Sequence, residues 1–181
     1  MIIECLIFMS TFIPINGVTI EEMNEIRFCQ QILPERAEVH FDLIQEFFEP
    51  ENQETAVKIA WCESRFFEYK VRTAEGNYDT GLFQFIERTW NWVAEEYNLP
   101  RWNEWVILRY GQPYEGPTSK TSYGFSHVPA QKSAYYNTLF ASLLAEDIYS
   151  RTRWNDWSSS QWCWEDTEKF LIRVYNEERR Y

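Results

Sequence analysis

The sequence predicts a mainly helical α+β domain, with a small irregular or β element set between the helices. Three observations support this. Segments with apolar residues at helical spacing stand on both sides of the middle of the chain. Between them, FEYKVRTAEGNYDTGLFQF (67–85) turns to β-branched and aromatic residues around a Glu-Gly-Asn turn signal. The length of 181 residues suits one domain with a substantial core and leaves little room for two.

The chain opens on MIIECLIFMSTFIPI, a short apolar run interrupted by Glu4. It lacks a basic n-region and a small-x-small cleavage site, so it reads either as a clipped signal-like segment or as a first buried element. It is too short and too interrupted for a stable membrane span. TIEEMNEIRFCQQIL (19–33) reads as a helix, with Thr19 and Glu22 as a capping box and Pro34 beyond its end. FDLIQEFF (41–48) repeats apolar residues at helical spacing. After Pro50, QETAVKIAWCESR (53–65) predicts a third helix capped by Asn52. The stretch 67–85 predicts a small hairpin or a coiled connection. Helical spacing resumes after Ile86, with Trp90, Val93 and Tyr97 on one face, until Leu99-Pro100 stops it. Gly111, Pro113, Gly116, Pro117, Gly124 and Pro129 then mark 100–132 as a long surface loop or insertion. SAYYNTLFASLLAEDIYSR (133–151) predicts one long helix and TEKFLIRVYNEER (167–179) the last. The expected organisation is an apolar segment and helical extension over 1–50, then a main domain over 51–181 with an insertion at about 100–132.

Composition narrows the function. A net charge of -11 argues against nucleic acid, whose phosphates need clustered Lys and Arg. Only two His leave little material for a His-based metal site or a Ser-His-Asp triad. His40, in the acidic run EVHFD, and His127 both read as surface or loop residues. The four Cys (Cys5, Cys29, Cys62, Cys163) contain no CxxC pair, so no zinc site is expected. An even count fits one or two disulfides in an oxidising compartment, and four buried thiols remain the alternative. Aromatics reach 18%, with nine Trp, which suggests a cleft that stacks flat amphipathic ligands such as sugar rings; an aromatic-rich core accounts for most of them.

Two carboxylates stand out. Glu63 ends an apolar helix among Trp61, Cys62, Phe66 and Phe67. A carboxyl desolvated among aromatics favours its protonated form, as a general acid near neutral pH requires. Asp79 lies sixteen residues further on, in YDTGLFQF, where Gly81 allows a tight turn. Glycosidic cleavage commonly uses two carboxyl groups, and their separation sets the stereochemistry. Each taken alone is equally a solvated helix-end Glu or a turn Asp.

Together the stretches are more specific. Glu63-Ser64-Arg65-Phe66 resembles the E-S-x-F element of soluble-lytic-transglycosylase-like domains. Gly81-Leu82-Phe83-Gln84-Phe85, followed by Thr89-Trp90, resembles their G-L-x-Q-F…T-W element. Cys62-Glu63-Ser64 ahead of G-L-x-Q-F is also similar to resuscitation-promoting-factor domains, in which a Cys before the catalytic Glu is bridged to one near the domain's end. The resemblance covers about residues 53 to 165 and points to the lysozyme-like superfamily of peptidoglycan glycosidases. It implies a lysozyme-like α+β fold with the β element beside an active-site cleft, and makes 51–181 the catalytic domain.

It further implies that Glu63 is the catalytic acid/base and that Gln84 lines the sugar cleft. Ser64 would support Glu63 from behind by a hydrogen bond. Trp90 would support or face the cleft, although core packing explains it equally well. Tyr123, Tyr135 and Asn137 come from the region that completes the cleft in the family. A Cys62–Cys163 disulfide is implied, worth roughly 4–5 kcal/mol in the chain-entropy account. The pairing of Cys5 and Cys29 stays open.

The implied reaction cuts the β-1,4 bond between N-acetylmuramic acid and N-acetylglucosamine, without a cofactor. One route is lytic transglycosylation, in which Glu63 acts alone and the sugar's 6-hydroxyl closes a 1,6-anhydro ring. The other is lysozyme-type hydrolysis, with Asp79 as the second carboxylate. Asp79-Thr80-Gly81-Leu82-Phe83-Gln84 is similar to the hen-type arrangement, and the split of roles between two carboxylates is borrowed from lysozyme, the standard example. C-E-S and G-L-F-Q-F favour the transglycosylase. A reading of another class is an inactive wall-binding or virion component that keeps the fold. The expected partner is the peptidoglycan glycan strand, met by a monomer outside the cytoplasm or on a phage particle. The acidity gives no overall attraction to a polyanionic wall, so the contact is expected through a local patch (Arg101, Arg109, Lys120, Lys132), at salt high enough to screen the repulsion, or by physical delivery as part of a phage particle or a secretion machine.

Overall fold

The computed structural model describes residues 35–67, 69–74, 77–114, 124–148 and 154–178. The predicted helix over 19–33, the apolar start, Cys5, Cys29, Lys120 and Tyr123 lie outside the described residues. The fold is mainly helical with small antiparallel sheets, the α+β class the sequence predicts. Among the described residues, those up to Cys62 and from Asp156 onward form one compact unit, and Glu63–Asn155 forms the other.

In the first unit, α1 (Glu35–Phe47) and α2 (Pro50–Ser64) are the described N-terminal helices. Phe41, Ile44 and Phe48 recur at helical spacing and are buried. His40 shares that stripe one turn before Ile44 and is buried too, contrary to the surface position expected from its acidic neighbours. The apolar period outweighs local composition there. Helix α2 begins at Pro50, so Asn52 is not its cap but lies in the first turn, buried. Proline suits the first helical position because its φ is already helical and its missing N–H has no helical partner.

The C-terminal part of this unit holds a 3₁₀ stretch (Asn155–Ser160) and two helices.

 In chain order these two helices are α5 (Gln161–Trp164) and α6 (Thr167–Glu178). The Ser-rich run after Trp157 ends the 3₁₀ stretch and leads into α5. The Trp164 indole N–H lies 3.2 Å from the Trp157 carbonyl and 3.1 Å from the Ser160 hydroxyl oxygen. The Ser160 hydroxyl donates to the same Trp157 carbonyl, so the buried polar atoms of this segment satisfy one another. Asp166 caps α6 by accepting from the Lys169 amide at 3.1 Å. The Lys169 side chain, hydrogen-bonded to Asp166, holds that carboxyl below the usual carboxylate range. Trp61 meets Phe170 edge-on at 5.1 Å, and the Lys58 ammonium donates to the Thr167 hydroxyl oxygen at 2.7 Å.

Cys62 and Cys163 form a disulfide across a sequence separation of 101, with their Cα atoms 6.1 Å apart. It fastens α2 to α5 within this unit. Opening it restores the freedom of a loop of that length to the unfolded chain, which costs roughly 4–5 kcal/mol in the chain-entropy account. Cys62→Ser with Cys163→Ser is expected to lower the denaturant midpoint sharply. Added reductant should do the same to the parent. An unchanged midpoint would show that the bridge adds no stability.

The second unit is built on α3 (Glu87–Tyr97) and α4 (Ala134–Ser142). Strands β1 (Val71–Ala74) and β2 (Asn77–Thr80) form an antiparallel hairpin, as one of the two readings of 67–85 has it. Trp90 stacks on Phe140 with ring centres 3.8 Å apart, and Phe85 meets both rings edge-on. Ser133 caps α4 by accepting from the Tyr136 amide. The long helix expected over 133–151 is α-helical only to Ser142 and continues as a π-helix over Leu143–Ile148.

The region read as a loop over 100–132 instead contains a three-stranded antiparallel sheet in the order β4-β3-β5. Its strands are β3 (Trp105–Arg109), β4 (Gln112–Pro113) and β5 (Phe125–Pro129). Gly111, Pro113, Gly124 and Pro129, four of the residues that suggested a loop, sit at strand ends, while WVILR alternates buried and exposed positions as a half-buried strand does. Residues 115–123 lie outside the described residues.

Candidate functional site

All the described candidates except the two cysteines fall in the second unit. Glu63 occupies the last turn of α2 and is 3% exposed, and Ser64 behind it is fully buried. The helix stops because Arg65 and Phe66 both turn to positive φ, 59° and 60°. Two consecutive non-glycine residues in that region cost about 1–2 kcal/mol each, and such strain concentrates where a site needs a particular backbone path. The turn leaves the Glu63 carbonyl, orphaned at the helix end, for the Lys70 ammonium, which donates to it at 2.7 Å.

Lys70 then links this helix end to the second carboxylate's segment. Its own carbonyl accepts the Gly81 amide and the Gln84 side-chain amide, each at 3.0 Å. Asp79 lies two residues before Gly81 on β2, paired in register with Arg72 of β1, and is 9% exposed. Glu63 and the Asp79–Gln84 segment are thereby held to one residue. Nothing in the sequence marks Lys70 for this, because its role is defined by where two distant backbones meet.

The G-L-F-Q-F motif is a closed turn. Thr80 and Phe85 exchange backbone hydrogen bonds of 2.9 and 3.0 Å across it. Gly81 adopts φ +89°, and a Cβ there would stand 2.1 Å from the Asn137 side-chain nitrogen and 2.6 Å from the Gln131 carbonyl oxygen. Asn137, fully buried on α4, clamps the turn: its Oδ1 accepts the Phe83 amide at 2.7 Å, and its Nδ2 donates to the Thr80 and Gln131 carbonyls. Gln131 reaches back in turn to Asn103 through two hydrogen bonds.

These placements refine the expected roles. Asn137 and Trp90 have no exposed surface with which to touch a ligand. Asn137 positions the turn; Trp90 is core, with its indole N–H donating to the Pro100 carbonyl at 2.9 Å. Gln84, at φ +53°, spends its Nε2 on the Lys70 and Gly81 carbonyls, and its buried Oε1 has no hydrogen-bond donor among the described residues. Ser64 is behind Glu63 in the chain and fully buried, hence also a support rather than a contact. Tyr135 is half-buried, edge-on to Tyr136 at 5.3 Å. Phe67, Tyr69 and Tyr78, which the sequence reading did not single out as ligand residues, are 49%, 57% and 60% exposed on the segments that flank Glu63 and Asp79.

No family profile, curated protein or solved structure matches the chain.

Proposed function

We propose that the protein cleaves the β-1,4 bond between N-acetylmuramic acid and N-acetylglucosamine in peptidoglycan, as a lytic transglycosylase with Glu63 as its acid and base. The observation that supports this most is the link through Lys70, which ties the helix end bearing Glu63 to the turn formed by Gly81-Leu82-Phe83-Gln84-Phe85. The two stretches that resemble the glycosidase family are thus parts of one local structure. Exposed Phe67, Tyr69 and Tyr78 supply flat surfaces of the kind sugar rings stack on.

In this reading protonated Glu63 gives its proton to the glycosidic oxygen as the bond from the muramic acid C1 breaks. The resulting carboxylate faces the cationic sugar and then takes the proton of the 6-hydroxyl as O6 bonds to C1. No water is consumed, and Glu63 ends protonated as it began. The disulfide fits an oxidising compartment, outside the cytoplasm or on a phage particle.

Hydrolysis is the second reading, favoured by the buried position of Asp79 on β2. Mass spectrometry of the products from purified peptidoglycan separates the two. Transglycosylation leaves 1,6-anhydro ends, one water lighter than the reducing ends left by a hydrolase. Asp79→Asn is expected to reduce the rate only slightly; near-complete loss together with reducing-end products would replace the proposal by a lysozyme mechanism. No released product of either kind would favour a non-catalytic wall-binding or virion role.

A further inference from the structure

The three-stranded sheet has a second face that the cleavage reading leaves unused. Along β3, Val106 and Leu108 are buried, whereas Trp105 and Arg109 are exposed and Ile107 is half-buried. Residues opposite one another in an antiparallel pair share a face, so Pro129, His127 and Phe125 of β5 join Trp105, Ile107 and Arg109 on the outer one. Trp105 meets His127 edge-on at 5.0 Å. The Arg109 guanidinium stands 5.5, 5.8 and 5.6 Å from the rings of Phe125, Tyr114 and Tyr110.

Tyr110 is held in place although it is 69% exposed. Its amide donates to the Gly124 carbonyl at 2.8 Å, and its ring lies so close to Gly124 that an added Cβ would be 2.4 Å from it. Both residues have positive φ, 52° for Tyr110 and 83° for Gly124. An exposed ring fixed on a glycine loses little freedom when a ligand stacks on it.

Charge bears on the ligand. The chain carries -11 overall, yet the three strands contain Arg109 and no Asp or Glu, with Glu104 just before β3. From Trp105 to Arg109 the strand runs roughly 14 Å at about 3.4 Å per residue, the reach of an oligosaccharide rather than of one sugar. We infer that this face is a glycan-binding platform which stacks the rings of an anionic polysaccharide on Trp105 and Tyr110 and meets its carboxylates with Arg109. The identity of that polysaccharide as peptidoglycan rests on the function proposed above; the platform itself does not.

The test is co-sedimentation of the full chain carrying Glu63→Gln with insoluble peptidoglycan, and with chitin as an uncharged glycan. Trp105→Ala and Tyr110→Ala, each added to that background, are expected to weaken retention on peptidoglycan about tenfold while the thermal midpoint stays near the parent's. Arg109→Gln should remove the salt-sensitive part of binding to peptidoglycan and leave chitin binding unchanged. Retention unaltered by the aromatic changes, or no retention of the parent, would overturn the platform. So would aromatic changes that abolish self-association in sedimentation velocity without altering glycan retention, since the face would then be a contact between copies. Cleavage by the wild type is scored separately, so a protein that binds without cutting refutes the enzymatic reading and keeps this one.

Discussion

Glu63→Gln is expected to lower release of muropeptides by about 10²–10⁴-fold, the usual contribution of a positioned general acid or base. The amide matches the carboxyl in shape, so the last turn of α2 keeps its packing. The Lys70 contact also survives, because it is made to the backbone carbonyl of residue 63 and not to its side chain. Loss of turnover with a retained thermal midpoint is therefore the result that assigns Glu63 the chemistry. Turnover at the wild-type rate would remove Glu63 from the reaction, and with it the transglycosylase reading, which has no other proton donor. A large fall in the midpoint would instead mean that the carboxyl serves the fold.

The second large effect is expected at Gly81. In Gly81→Ala the new methyl group would need the space held by the Asn137 side-chain nitrogen and the Gln131 carbonyl oxygen, at a φ of +89° that alanine adopts poorly. Neither neighbour can yield cheaply. Asn137 is fully buried and holds the Phe83 amide and the Thr80 and Gln131 carbonyls. Backbone strain of this kind costs about 1–3 kcal/mol, and a steric clash in a closed turn adds to it, so the variant should lose several kcal/mol in urea unfolding. Any folded fraction should also cleave poorly, because Gly81 donates to the carbonyl of Lys70, whose ammonium holds the end of α2. A variant with wild-type midpoint would mean that the turn relaxes more easily than its contacts indicate.

Legibility of the site varied residue by residue. Gly81 was readable as a tight-turn residue, but not the reason it must be glycine, since Asn137 lies 56 positions away in the chain. Trp90 was left between core and ligand contact because a tryptophan at helical spacing suits both; its stack on Phe140 decides for the core. Asn137 came to notice through a family likeness, whereas its work is to satisfy three backbone groups of the turn and its approach. Lys70 gave no signal at all. His40 was misjudged from its charged neighbours when the apolar stripe running through Ile44 and Phe48 was the better guide. The strands at 105–109 and 125–129 were hidden by the glycines and prolines at their ends, which local pattern cannot tell from the punctuation of a loop.

By itself the sequence determined the helical class, the central hairpin as one of two options, the likeness that pairs Cys62 with Cys163, and the choice of Glu63 and Asp79. These depend on period, turn chemistry and short motifs, all of which are local or borrowed from a family pattern. Tertiary structure alone decided that 100–132 contains a sheet, that Asn137, Trp90 and Ser64 are buried supports, that Lys70 joins the two motif segments, and that Tyr110 stands exposed on Gly124. Each of those is a meeting of residues distant in the chain or a matter of which side of an element faces the core. Side-chain hydrogen bonds and burial are settled only when the chain closes on itself, and a linear pattern holds no record of which buried carbonyl a given amide or ammonium will find.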